Sequence, residues 1–179
     1  MWFIFDNLNM WVEKRFEMQL LNVDDLNEQN IQRLSEMLSQ LRVTELQKEL
    51  ADTLLTGMFN QWSRVFVALN AKWEICAVLT LLLEIKLLSG WCIAWHIEDV
   101  ATHPDSQKQG LSSSLMQYAM DYARRARITL GHHDETCVVM KPYKIVLDCD
   151  TGLKEFYEKQ GFEESWVFMR QYLRSRGGK

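Results

Sequence analysis

The chain has 179 residues, 47% of them apolar and 25% charged, a composition that suits one folded domain and excludes a disordered, low-hydrophobicity chain. Its 20 basic and 24 acidic residues leave a formal net charge of −4, so no global positive field gathers nucleic acid or anionic lipid, and an anionic ligand must meet a local site. The run Ala77 to Leu83 is too short to span a bilayer, so neither nucleic acid nor membrane is expected as a partner.

The opening stretch Met1 to Trp11 is aromatic, has no basic flank, contains Asp6 and lacks a small-residue cleavage site, so it does not read as a secretion signal. Residues 1–15 read as a loosely held N-terminal extension, 16–173 as the domain and 174–179 as a C-terminal tail. Cys76, Cys92, Cys137 and Cys149 show no C-x-x-C pair and no disulfide-scaffold density; reduced thiols in a cytoplasmic protein are expected.

Phe16, Met18 and Leu20 alternate with Glu17 and Gln19, the period of a half-buried strand. Ile31, Leu34, Leu38 and Leu41 then fall at helical spacing. Thr44 to Gln47 has capping-box form and starts a second helix bearing Leu46, Leu50, Leu54 and Met58 on one face. Three β-rich stretches follow, Val65 to Leu69, Ile75 to Leu88 and Trp91 to Thr102, with turn signals at Asn70 and Ser89-Gly90, and they predict an antiparallel meander. Gly110 precedes a helix with Leu111, Leu115, Tyr118, Tyr122 and Ala126 on one stripe and Arg124, Arg125 and Arg127 at its end, where positive charge favours the helix dipole. Residues 128–142 read as a long polar loop with a short apolar patch, Lys144 to Asp148 as a buried strand, Gly152 to Gln160 as a helix ended by Gly161, and Trp166 to Tyr172 as a last strand. The order β-α-α-β-β-β-α-β-α-β is that of an α+β domain.

Two segments carry chemistry. The strand Ile97 to Thr102 leads into Gln107-Lys108-Gln109-Gly110-Leu111-Ser112 at a helix start. Backbone amides at such a start form an anion site, and a glycine lets the backbone approach a ligand closely. Taken alone, a glycine there is an ordinary tight turn. The second segment is Leu147-Asp148-Cys149-Asp150 followed by Phe156 to Phe162; alone, Tyr157 reads as a core tyrosine and Asp148 as a capping or paired carboxylate.

Together, H-I-E-D-V-A at His96 to Ala101, Q-x-x-G-x-S at Gln107 to Ser112, and Y-K-I-V-L-D-C-D with F-Y-E-K-Q-G-F between Tyr143 and Phe162 resemble the GNAT superfamily of acetyl-CoA-dependent N-acetyltransferases. Within it they resemble the glucosamine-6-phosphate N-acetyltransferase family, over about residues 16–172. The resemblance implies a GNAT fold: a central, mixed, mostly antiparallel twisted sheet flanked by helices, whose fourth strand splays from the fifth in a V that takes the pantetheine arm of acetyl-CoA. Val100, Ala101 and Thr102 would bind that arm through their backbones. Lys108, Gln109, Gly110, Leu111, Ser112 and Ser113 would cradle the pyrophosphate, with Asp148 and Tyr157 also touching the donor.

The resemblance further implies that Lys86, Glu98, Asp99 and Val100 face an amino-sugar phosphate, with Tyr143 and Lys144 supplied by the partner subunit of a homodimer. The reaction would be direct acetyl transfer in a ternary complex, giving N-acetylglucosamine 6-phosphate for UDP-N-acetylglucosamine synthesis. Asp148 would orient the amine and take its proton, with the Leu147 carbonyl as a further acceptor, the Val100 amide would meet the oxyanion, and Tyr157 would donate to the departing thiolate.

The match departs from the family at several positions. Ser112 stands where the turn usually has Gly or Ala, Leu153 where an Asn is common, Ser89 where a His often meets the sugar phosphate, and Arg42 at a threonine position. Tyr172 takes the place of a basic residue, with Arg170 and Arg174 flanking it as candidate phosphate contacts. Gly131-His132-His133-Asp134-Glu135 and Cys137 have metal-ligand chemistry but no second paired motif, and read as a solvated turn; no metal is expected. Two alternatives remain: a GNAT enzyme for a polyamine, small amine or protein amino group, and a non-catalytic acyl-CoA-binding module on the same fold.

Overall fold

The computed structural model describes residues 10–12, 16–21, 25–41, 63–87, 92–131 and 137–165. In chain order the elements are β1 (Met10–Val12), β2 (Phe16–Leu20), α1 (Glu28–Ser39), β3 (Ser63–Asn70), β4 (Ile75–Lys86), β5 (Cys92–Thr102), α2 (Leu111–Arg125), β6 (Ile128–Gly131), β7 (Cys137–Met140), β8 (Pro142–Val146) and α3 (Lys154–Glu158). Short 3-10 turns occupy Pro104–Ser106 and Thr151–Leu153. By its internal contacts the chain divides into two units, Met1–Leu147 and Asp148–Lys179, so the domain expected over 16–173 spans both.

The first unit is built on a six-stranded sheet of order β1-β2-β3-β4-β5-β8. Every pair is antiparallel except β5 with β8, which is parallel. The predicted meander of three long strands is present. Parallel pairing of β8 requires a crossover, and α2 lies in that connection.

The strand pleat sends alternate β3 residues to opposite faces. Val65, Val67 and Leu69 join Leu26, Ile31, Leu34 and Met37 in a buried cluster on the α1 side. Phe66 points the other way, with its ring edge-on to Tyr118 and Tyr122 of α2 at 5.8 and 5.1 Å, and Trp95 of β5 meets Tyr122 from beside it at 6.3 Å. Helix α1 starts where the Asn27 side chain accepts from the Asn30 amide at 2.9 Å. Asn30 is itself buried with its amide satisfied on both ends: it donates to the Asp25 and Trp73 carbonyls and accepts from the Ile75 amide. Those bonds pin α1 to the start of β4.

The structure corrects several sequence expectations. Met10–Val12, inside the presumed extension, pairs with Phe16–Met18. Residues 128–142 are not simply a polar loop: Ile128–Gly131 and Cys137–Met140 form a separate two-stranded sheet, as the β-prone stretches I-T-L and C-V-V-M favour. The strand expected over Lys144 to Asp148 runs instead over Pro142–Val146, which places Asp148 beyond its end. The helix expected from Gly152 begins as a 3-10 turn and becomes α-helical only at Lys154. The predicted helix after Thr44 and the last strand from Trp166 lie outside the described residues. Among the described residues no helix is long and apolar enough to cross a membrane.

Candidate active site

β5 is irregular where the motif falls. Val78 pairs with Ala101 and Thr80 with Glu98, so Asp99 and Val100 together oppose the single residue Leu79. This is a β-bulge, and Asp99 sits in it at φ +53, a left-handed conformation uncommon for a residue with a Cβ. On the other edge β8 pairs only with Ile93 to His96. Beyond His96 the two strands separate, so the β8-facing edge of Ile97 to Thr102 is left outside that ladder. The expected splay between these two strands is therefore present, and Val100, Ala101 and Thr102 line one side of it.

After Thr102 the chain makes the 3-10 turn Pro104–Ser106 and enters α2 through a loop with two left-handed residues, Lys108 at φ +60 and Gly110 at φ +75. The first helical bond runs from the Ser114 amide to the Gly110 carbonyl at 3.0 Å, and no side chain caps the helix. The amides of such a first turn point out along the helix axis and bind anions. A Cβ built on Gly110 meets nothing within 4 Å, so the space above this turn is open and its glycine is needed for its φ. Ser112, at the position where the turn usually has Gly or Ala, has its hydroxyl 2.6 Å from that of Thr102. Lys108 and Gln109 are exposed on the loop, Leu111 is buried beneath it, and Ser113 is partly buried in the first turn.

Lys86, Glu84, His96 and Glu98 share the α1-side face of β4 and β5, because the register pairs Lys86 with Cys92, Glu84 with Ala94, Leu82 with His96 and Thr80 with Glu98. Glu84 bridges two of them, accepting from the Lys86 ammonium and meeting His96 Nε2 at 2.7 Å. Hydrogen bonds from Lys86 first and His96 second hold the Glu84 carboxyl below its ordinary range. Lys86 and Glu98, both expected to face the sugar phosphate, are far apart along the strand. Glu98 lies opposite Thr80, six residues from the Lys86 pair, or roughly 20 Å along the strand. On β8, Tyr143 is 48% exposed, and the Lys144 ammonium lies 5.3 Å from its ring centroid.

In the second unit Asp148, Cys149 and Asp150 are exposed ahead of α3. Burial, followed by Asp148 and Asp150, pushes the Cys149 thiol up, so it is a poor thiolate. Tyr157 is buried, with its ring edge-on to Phe156 at 5.0 Å and to Phe162 at 6.2 Å. The helix ends in a Schellman motif: the Phe162 amide donates to the Tyr157 carbonyl, the Gly161 amide to that of Glu158, and Gly161 has φ +88. In F-Y-E-K-Q-G-F the glycine closes the helix and brings the second phenylalanine back onto the tyrosine. Burial above all, then Cys149 and Asp148, pushes the Tyr157 phenol up, which keeps it a proton donor.

The sequence profile of the acetyltransferase (GNAT) domain matches residues 61–164. The chain belongs to the GNAT acetyltransferase family. Glucosamine 6-phosphate N-acetyltransferase of Schizosaccharomyces pombe is 30% identical over 99 residues, covering 55% of this chain and 77% of that protein. The enzyme of the same name from Arabidopsis thaliana is 29% identical over 100 residues, covering 56% of this chain and 58% of that one. A crystal structure of the Arabidopsis thaliana glucosamine-6-phosphate N-acetyltransferase superposes with a TM-score of 0.71 at 25% identity, over 89% of this chain and 99% of that one.

GNAT acetyltransferases use acetyl-CoA, and the first unit of this GNAT chain fits it. The separated edge of β5 offers backbone groups for an amide-rich arm, and the open α2 N-terminus with Gly110 and Lys108 offers donors for phosphates. Among the described residues no group of three or more His, Cys, Asp or Glu is placed to hold a metal; His132 to Glu135 lie outside them. Sequence reasoning missed Glu84, which only the cross-strand pairing with His96 reveals. It also missed His103, which is buried at 5% exposure and carries no motif of its own.

Proposed function

We propose that this GNAT enzyme transfers the acetyl group of acetyl-CoA to the 2-amino group of glucosamine 6-phosphate by direct attack in a ternary complex. The observation that carries the reading is the pair of carboxylates Glu98 and Asp99 at the β5 bulge, beside the strand edge that β8 does not cover, which suits an amine attacking a donor that lies along that edge. The names of the curated relatives support the same acceptor.

Acetyl-CoA supplies an activated acetyl thioester. In this proposal Val100, in the bulge, presents its amide to the developing oxyanion. Asp148 orients the amine and takes its proton, with the Leu147 carbonyl as a further acceptor, and Tyr157 gives a proton or hydrogen bond to the leaving thiolate. Ala101, Thr102 and residues 108–113 hold the donor. Tyr143 and Lys144 serve a neighbouring subunit of a homodimer, which light scattering of the purified chain would show as twice the 21.1 kDa monomer mass. The free Cys76, Cys92 and Cys149 suit a cytoplasmic setting.

A second acceptor class has its own support. Glu84 already pairs with Lys86, which lies far along the strand from the β5 carboxylates, so the acceptor end of the site at Glu98 and Asp99 is acidic, which suits a polyamine or another cationic amine. The deciding experiment follows thiol release from acetyl-CoA with glucosamine 6-phosphate, glucosamine, spermidine and a lysine peptide in parallel. Activity confined to the phosphorylated sugar is expected. Preference for spermidine or peptide would replace the acceptor, and binding of acetyl-CoA with no release on any amine would leave a non-catalytic acyl-CoA-binding module.

A further inference from the structure

His103 lies between β5 and the 3-10 turn, and its side chain is 6% exposed. Its Nδ1 accepts from the Asp105 amide at 3.3 Å, which makes it the cap of the turn Pro104–Ser106. The Asp105 carboxylate is 3.6 Å from the same nitrogen, too far for a hydrogen bond. With Nδ1 an acceptor, the ring proton sits on Nε2, where it is donated to Glu36 Oε2 of α1 at 2.9 Å. The other oxygen of Glu36 accepts from Gln32 at 2.9 Å, so the carboxylate is aimed from within its own helix.

A second clasp lies one helical turn on. Gln40 donates to the Thr102 carbonyl at 3.2 Å, and Gln107 donates to Gln40 Oε1 at 2.9 Å and to the same carbonyl at 3.4 Å. Both clasps tie the end of α1 to the segment that enters the left-handed residues Lys108 and Gly110. Gly110 takes its positive φ freely, but Lys108 carries a Cβ and stays at φ +60 only when its surroundings over-determine the loop. The ring of His103 and the side chains of Gln40 and Gln107 are those surroundings.

We propose that His103 and Glu36 are positioning residues for acetyl-CoA: through the Asp105 amide they hold the loop 107–110 and the α2 N-terminus in the shape that accepts the donor's phosphates. The proposal rests on the family's use of acetyl-CoA and not on the acceptor, so its failure is separate from failure of the glucosamine 6-phosphate assay.

The test is titration calorimetry of the full chain with CoA, paired with hydrogen exchange of the free protein. Because the Glu36 side chain is 46% exposed, Glu36→Ala leaves the core intact. It should weaken CoA binding about tenfold, the scale of one hydrogen bond to a charged group. Exchange of amides 104–112 should quicken while β3 and β4 are unchanged. Glu36→Gln, which keeps an acceptor for Nε2–H, should bind within about twofold of the parent. His103→Asn, which can still cap the turn but cannot reach Glu36, should resemble Glu36→Ala. CoA affinity unchanged in Glu36→Ala would overturn the proposal. So would a Gln variant as weak as the Ala variant, or weakened binding with loop exchange unaltered.

Discussion

Tyr157 is a phenol whose surroundings oppose ionisation, since burial and the neighbouring Cys149 and Asp148 all push its titration upward. Its proton stays on the phenol, so it can offer a hydrogen bond to the departing thiolate, which is a weaker base than the phenolate and leaves the proton mainly on the oxygen. Tyr157→Phe keeps the aromatic packing against Phe156 and Phe162 and deletes only the hydroxyl. We expect kcat to fall about tenfold or more with KM for both substrates little changed. A variant with parental kcat would remove Tyr157 from the mechanism. The Gly161 turn that returns Phe162 to this ring was readable as a helix stop, because glycine takes a left-handed φ without a Cβ penalty.

At the scale of elements the bulge in β5 decides most. It places two residues against Leu79 and leaves Asp99 at φ +53, a conformation that costs a residue with a Cβ up to about 1–2 kcal/mol and glycine almost nothing. Asp99→Gly should therefore raise the urea midpoint, by up to about 1 kcal/mol of stability, while raising KM for the acceptor if the carboxylate faces it. Higher stability with unaltered KM would show that Asp99 serves the backbone and not the substrate. The motif H-I-E-D-V-A was visible in the sequence, but the bulge was not, because register is a property of two strands. The same holds for the Glu84–His96 contact and for the distance between Lys86 and Glu98. The hairpin of β6 and β7 was missed for a related reason: four-residue strands have too little periodicity to stand out from a polar loop.

Among the described residues four glutamates share one behaviour. Glu36, Glu74, Glu84 and Glu164 are all held low, each chiefly by one hydrogen bond, from His103, Asn70, Lys86 and Lys154 respectively. A depressed folded-state value means that the unfolded chain takes up protons first. The stabilisation is complete above the ordinary glutamate value of about 4.3 and is lost as pH falls through the lower folded values. Lys154, raised chiefly by the hydrogen bond it donates to Glu164, works in the opposite direction: its contribution is present below the ordinary lysine value of about 10.4 and is lost as pH rises through the folded one. The melting temperature should be flat between those limits and drop on the acid side. Because these groups are largely exposed, salt should weaken the effect. Glu84→Gln should make the acid limb shallower, and an unchanged limb would show that the Lys86–Glu84–His96 contacts add no stability.

Local physics was enough to place β2, the meander of β3 to β5, and helices α1 and α2, since each is written in apolar periodicity or a turn residue and needs no distant partner. The donor loop was legible for the same reason: its glycine, lysine and following helix are consecutive. What only the tertiary structure decided are relations between segments far apart in the chain. β8 runs parallel to β5 and leaves it after His96, Glu84 reaches His96 across two strands, and His103 is buried against Glu36 of α1. No spacing rule carries those contacts, because they depend on which strand edge is paired and which helix covers it, and that is settled by burial of the whole core and not by any one stretch of sequence.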